Sequence, residues 1–345
     1  MRFCIQSAFF CVEESCMVRL LKQLVDIKST RGGEREIADF VAGYLTRLGF
    51  RVDKQPVDEQ RFNVLARLEE DPEVLLCTHL DTVAPYIPFR RQGDLIYGRG
   101  ACDAKGQMAA MLMAAGDLLK QNCRRFGLLF DVGEESTSDG AKMAAKLTPP
   151  TKYVIIGEPT QNKCAVGQKG TVVFRADASG KSGHSAYPHL GDSAIHKLIG
   201  CVHLWLSLDW GRDKVLGESS LNIGKISGGS APNVIAASAS VEGIFRVSQS
   251  TEKIKKQLFL HTGDVIEIKI LSQTEPQKLK AVEGFETTVV SFGSDAGYLR
   301  PLGEIILFGA GSVQFAHAEN EQIRLSDLVH GRKSYVTMVK RLLSC

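Results

Sequence analysis

The sequence predicts an α/β fold of the doubly wound kind, interrupted by a smaller inserted domain. Three observations carry this reading. Short apolar runs at Val74–His79, 128–132, Tyr153–Ile156 and 305–308 alternate with segments whose apolar residues recur at helical spacing. The first three end in, or just before, an acidic or imidazole side chain, and a loop with one His follows the fourth. That is where open α/β sheets place their ligands. The pattern then changes at about Cys164 to longer, alternating strands, and the first pattern resumes near Glu275.

In order, residues 18–27 and 34–48 read as helices, the second stopped by Gly49. Residues 50–53 and 62–68 are short alternating strands. Val74–His79 is nearly all apolar, as a strand buried on both faces must be. Strong helix formers fill 105–119, a further helix is expected near 141–147, and Tyr153–Ile156 is another buried strand. Between 164 and 275 the order is strand (172–178), helix (192–206), strands (220–226, 237–247), helix (251–259) and strand (265–271). This is the split βαβ, or ferredoxin-like, unit. A helix starts within 294–299, residues 309–320 form a loop carrying one His, and 328–343 is a closing amphipathic helix. The expected organisation is one domain in two pieces, 17–163 and 276–345, with 164–275 inserted. Residues 1–16 are expected to be a disordered or non-native extension.

Composition excludes several classes. The 345 residues are 44% hydrophobic and 23% charged, ordinary for a globular enzyme of two domains. The net charge of +3 comes without a basic block or aromatic-interleaved stripe, which argues against nucleic acid. No apolar run approaches the roughly 20 residues that span a bilayer. The nine cysteines are odd in number and show no Cys-x-x-Cys spacing, so reduced thiols in the cytoplasm are expected.

Five residues on five separate loops are candidates for holding metal: His79, Asp103, Glu135, Glu158 and His317. Imidazole nitrogen and carboxylate oxygen suit borderline divalent cations. Two cations roughly 3.5–4 Å apart need a bridging carboxylate, which Asp103 on its Gly-rich turn could supply. Singly, each residue reads as a surface carboxylate or a core His. Jointly they do not, because chance seldom puts such a residue past so many buried strands. Glu134 beside Glu135 points the other way along the chain, so one carboxylate can bind metal while its neighbour faces the attacking water as general base. Asp81, two residues past His79, is placed to hold that ligand in one tautomer.

These stretches carry a resemblance. His79-Leu80-Asp81-Thr82-Val83, Gly98-Arg99-Gly100-Ala101-Cys102-Asp103-Ala104-Lys105-Gly106, Glu134-Glu135 and Gly157-Glu158-Pro159-Thr160 resemble the motifs of the dinuclear zinc amidohydrolase and peptidase family. Acetylornithine deacetylase, succinyl-diaminopimelate desuccinylase, aminoacylase and the glutamate carboxypeptidases belong to it. The resemblance implies a zinc-peptidase-like mixed sheet with helices on both faces and an inserted lid and dimerisation domain. It implies two zinc ions per subunit, with cobalt as an alternative, and a homodimer. His79, Asp103 and Glu158 would hold one ion and Asp103, Glu135 and His317 the other, with Glu134 as general base and acid. In the inserted domain, Ser182-Gly183-His184-Ser185-Ala186 resembles the family's lid His, an oxyanion donor. The stretch from Gly228 to Ile235, with Asn233, and Phe245-Arg246-Val247 resemble its α-carboxylate-binding elements, a task that suits the planar fork of Arg.

The segment from Gly309 to Glu321 resembles the acetylornithine deacetylase branch, with Gly311 and Ser312 at the substrate and Gly309 and Gly311 letting backbone N–H groups approach its carboxylate. Ala310, where Pro is frequent, and Arg246-Val247-Ser248-Gln249, where Arg-x-x-Pro is usual, depart from the pattern and bear on the substrate. The expected activity is hydrolysis of an N-acyl amino acid, N-acetylornithine first, as a step of arginine biosynthesis. N-Acetylcitrulline, succinyl-diaminopimelate, and di- or tripeptides or carboxypeptidase substrates are the alternatives.

Overall fold

Val74–His79 forms a strand buried at every residue in the computed structural model of the chain, which describes residues 2–344. Its neighbour Phe126–Asp131 is equally buried. A strand covered on both faces has no polar side to show, which is why both are apolar up to their last residues. They run parallel, with Leu76 opposite Leu128 and His79 opposite Asp131. Tyr153–Ile156 lies parallel on the other flank of Val74–His79, and Glu304–Leu307 lies parallel beyond it. Antiparallel strands extend this parallel core: Phe62–Arg67 and then Arg51–Pro56 at one edge, and Cys164–Gln168 at the other. The fold is α/β with a mixed central sheet.

Contacts divide the chain into two compact units. One comprises Met1–Val166, Leu279–Thr288 and Ser294–Cys345; the other comprises Gly167–Lys278 and Val289–Gly293. In the first, helix Lys105–Lys120 is buried for most of its length, as its Ala- and Met-rich sequence allows. It packs against Arg2–Asp26 and Leu325–Leu343. Arg332 of the last helix grips Asp117 with both arms of its fork, at 2.6 and 2.8 Å.

Three expectations are corrected here. Residues 2–16 are not a disordered extension but the first part of helix Arg2–Asp26, in which Met17, Leu20, Leu21, Leu24 and Val25 lie in the core. Met1 lies outside the described residues. The closing helix starts three residues early, at Leu325. A small sheet of Arg90–Gln92, Leu95–Tyr97 and Gln322–Arg324 stands in stretches where the sequence suggested no strand.

In the second unit the two central strands, Gly170–Ser179 and Ser238–Val247, alternate buried and half-buried residues, so each has one face on a core. The four-stranded sheet runs Ser220–Gly228, Ser238–Val247, Gly170–Ser179, Ile266–Thr274, with every neighbour antiparallel. Helices Ala194–Ser207 and Thr251–Leu260 connect the strands in split-βαβ order. Their core centres on Trp205, which is fully buried edge-on to Phe174 at 5.7 Å between ring centroids. Trp205→Ala empties that centre. The expected cost is about 3–5 kcal/mol, read as a lowered unfolding midpoint by chemical denaturation.

Candidate metal centre

The parallel strands deliver polar residues to one end of the sheet. His79 is the last residue of its strand. Glu134 and Glu135 follow Phe126–Asp131 after a turn at Gly133, whose φ of +79° is one that glycine adopts freely. Glu158 lies two residues past Tyr153–Ile156, and His317 lies on the loop after Glu304–Leu307. Asp103 precedes helix Lys105–Lys120.

These side chains meet. His79 Nε2 is 3.1 Å from Asp103 Oδ1, and His317 Nε2 is 3.4 Å from Asp103 Oδ2 and 2.9 Å from Glu135 Oε1. Asp103 therefore turns one oxygen to each imidazole. His79, Asp103 and Glu135 each offer a ligand atom, all within 4.8 Å of one another. Glu158 is buried, and its carboxyl is pushed well above the usual range by burial and then by the charge of Asp103, with Glu135 adding to it. Glu134 is raised by burial too, against the pull of His79, with Glu158, Asp295 and Glu135 raising it further.

The imidazoles answer this negative charge. Hydrogen bonds to Asp103 and then Glu135 push His317 up to about 10. Burial works against charge on His79, yet Asp103, Asp81 and Glu134 outweigh it and hold its pKa well above the ordinary value. So much carboxylate held in so little space attracts cations as it attracts protons. The donor set of two His and three carboxylates fits zinc or a similar divalent ion.

Two buried carboxylates pin the ligand loops. Asp81 accepts the N–H of Glu134 at 3.1 Å and of Glu135 at 3.0 Å. Its own backbone carbonyl, 3.0 Å away, takes Nδ1 of His79, while its carboxylate stands at 3.6 Å. The expected role of Asp81 is thus divided: the backbone fixes the imidazole and the side chain fixes the Glu134–Glu135 turn. A carbonyl only accepts, so Nδ1 carries a proton, and Nε2 is the nitrogen that would give its lone pair to a cation in place of a second proton. Asp81→Ala frees the turn and is expected to lower metal affinity by about 10–100-fold, measured by chelator competition.

Glu321 does the same for the other loop, and sequence reasoning missed it. Its Oε1 accepts the N–H of Cys102 at 3.0 Å and of Asp103 at 3.1 Å, while its Oε2 pairs with Arg99 at 2.7 Å. Gln107 was also missed. It accepts from Ala310 N–H at 2.9 Å and donates to Ala310 O and Cys102 O.

Gly309 is corrected. Its N–H donates to Thr160 Oγ1 at 2.9 Å, so it is not offered to a substrate, and a Cβ there would lie 2.4 Å from Gln107 Oε1. The glycine is required by internal packing. Gly311, at φ +78°, abuts Cys102 Sγ, and Ser312 Oγ accepts from Gln161 at 3.2 Å. His184, Asn233 and Arg246 belong to the second unit. There the exposed His184 forms a bridge with Val234, and Ser185 N–H donates to Asn233 O. Arg246 is half-buried, and among the described residues no acidic side chain pairs with it; burial lowers its pKa.

A mixed α/β sheet that gathers imidazoles and carboxylates at the ends of its parallel strands has the architecture of a metallohydrolase. The chain belongs to peptidase family M20/M25/M40, whose description matches residues 75–341, and so to a family of metal-dependent hydrolases. A Peptidase M20 domain-containing protein of Schizosaccharomyces pombe is 40% identical over 94% of this chain and 84% of its own length. A probable carboxypeptidase of Aspergillus flavus is 33% identical over 95% and 90%. Among solved structures, a Staphylococcus aureus tripeptidase aligns with a TM-score of 0.81 at 22% identity, over 96% of this chain and 99% of that one. An M20 metallo-carboxypeptidase from Sulfolobus solfataricus aligns with a TM-score of 0.75 at 18% identity, over 95% and 99%. No helix among the described residues is long and apolar enough to cross a membrane.

Proposed function

We propose that this protein hydrolyses a linear amide bond next to a free α-carboxylate, as a carboxypeptidase-type enzyme on short peptides. The convergence of His79, Asp103, Glu135 and His317, with Glu134 on the adjoining position, carries the reading. The probable carboxypeptidases among the relatives support a peptide substrate. Divalent cations bound between these side chains would polarise the scissile carbonyl and acidify a water. His79, Asp103 and Glu158 are assigned to one cation, and Asp103, Glu135 and His317 to the other.

Glu134 takes a proton from the attacking water and returns it to the departing amine. Burial and then the neighbouring carboxylates hold its carboxyl above the usual range, which favours its accepting a proton. By the resemblance, His184 is assigned to the developing oxyanion and Arg246, half-buried and paired with no acidic side chain among the described residues, to the α-carboxylate with Asn233; Gly311 and Ser312 are assigned to substrate binding in the first unit. The buried thiols of Cys77, Cys102 and Cys164 support a reducing, cytoplasmic setting.

A second reading is deacetylation of N-acetylornithine, favoured by the segment from Gly309 to Glu321. The test sets N-acetylornithine, N-acetylcitrulline and succinyl-diaminopimelate beside dipeptides and tripeptides with free or amidated C-termini, with zinc and with cobalt. Release of C-terminal residues from free but not amidated peptides is the expected result. Preferential cleavage of N-acetylornithine selects the second reading, and no turnover of any substrate by the metal-loaded protein overturns both.

A further inference from the structure

Arg99 and Glu321 form an ion pair at 2.7 Å that is shut off from solvent, with 2% and 1% of their side chains exposed. Such pairs seldom add stability over well-packed apolar residues, because desolvating two charges offsets their attraction. Their value lies in what they hold in place, and here the contacts are specific. One oxygen of Glu321 takes the N–H groups of Cys102 and Asp103. The other takes Arg99, whose Nε donates to Pro85 O at 3.0 Å and whose Nη1 donates to Ala318 O at 3.3 Å. The N–H of Gly98 returns to the backbone carbonyl of Glu321 at 3.2 Å.

Three loops are thus tied together: the one leaving His79, the turn bearing Asp103, and the segment that follows His317. His317 needs such a tie. It is half-exposed and sits at a φ of +61°, and its imidazole pairs with Asp103 and Glu135, which are themselves candidate ligands. The carbonyl next to it, that of Ala318, is what Arg99 holds.

We infer that Arg99 and Glu321 are positioning residues that set the gap between Asp103 and His317, and so the affinity for the cation which those two share with Glu135. The inference rests on the metal-centre reading. It predicts an unequal effect. His317 is assigned to one cation only, so slackening the tie weakens that cation while the one held by His79, Asp103 and Glu158 stays in place.

Glu321→Gln tests it. The amide oxygen still accepts from Cys102 and Asp103, but its NH2 now faces Arg99, donor against donor. Arg99→Lys keeps the charge and loses the fork that spans Pro85 and Ala318; it replaces E321Q should that variant fail to fold. Zinc is titrated against a chelating indicator into the apo-proteins, with His317→Ala as reference. The expected result is two bound zinc ions in wild type, and a weaker second zinc in E321Q, by about 10–100-fold. H317A should lose that same ion, the first should stay unchanged, and turnover of E321Q should recover in excess zinc. Two zinc ions bound by E321Q as tightly as by wild type, or both weakened alike, overturn the inference. Wild type that binds no pair of zinc ions refutes the metal-centre reading itself.

Discussion

Glu134→Gln is expected to lower kcat by about 10²–10⁴-fold while both zinc ions still bind. The substitution keeps the shape of the side chain and removes its capacity to take a proton. The turn itself survives, because Asp81 grips it through the backbone N–H groups of Glu134 and Glu135 and not through either side chain. The loss should therefore fall on kcat, with KM and metal content little changed. Metal analysis of the dialysed variant alongside its steady-state kinetics separates the outcomes. Turnover at the wild-type rate with both ions present would remove Glu134 from its assigned role.

Stripping the protein with a strong chelator is expected to abolish hydrolysis and to lower the melting temperature by several degrees. Asp103, Glu135 and Glu158 crowd together, and without cations the two imidazoles stand against their charge. A ligand that binds only the folded state stabilises it by about 2.7 kcal/mol at a hundred times its Kd. Each kcal/mol moves the midpoint of a domain this large by roughly 2–4 °C. Zinc or cobalt added back should restore both properties. An apo-protein that melts where the loaded protein does, and still turns over, would mean the cluster is not a metal centre.

The parallel core was legible because burial on both faces leaves a plain mark on a strand. Val74–His79 and Tyr153–Ile156 have the bounds their apolar runs suggested. The start of the last helix was not legible. Leu325 N–H donates to Asp94 O, and Ser326 N–H donates to Asp94 Oδ1 at 3.0 Å, so its cap comes from a residue about 230 positions away. Local sequence holds no trace of such a cap.

The same holds at the site. His79, Asp103, Glu135 and His317 stood out because each follows a strand or opens a helix. Glu321 follows no strand, and its partners Arg99, Cys102 and Asp103 are 218 to 222 residues distant. Gln107 looked like one more helix former, although its amide bonds to Cys102 and to Ala310 on a distant loop. Gly309 was misjudged for the reverse reason. Its neighbours Gln107 and Glu158 impose the glycine, and proximity of that kind is invisible until the chain folds.

His79, Asp103, Glu135 and Glu158 precede the inserted unit in sequence, whereas His317 and Glu321 come after it. During synthesis the first four emerge from the ribosome more than 150 residues ahead of the last two. A chain under translation, or one cut short by a stop codon anywhere before position 317, therefore holds an incomplete set of donors. On the proposed assignment, amide-cleaving power would arrive only once His317 had been made.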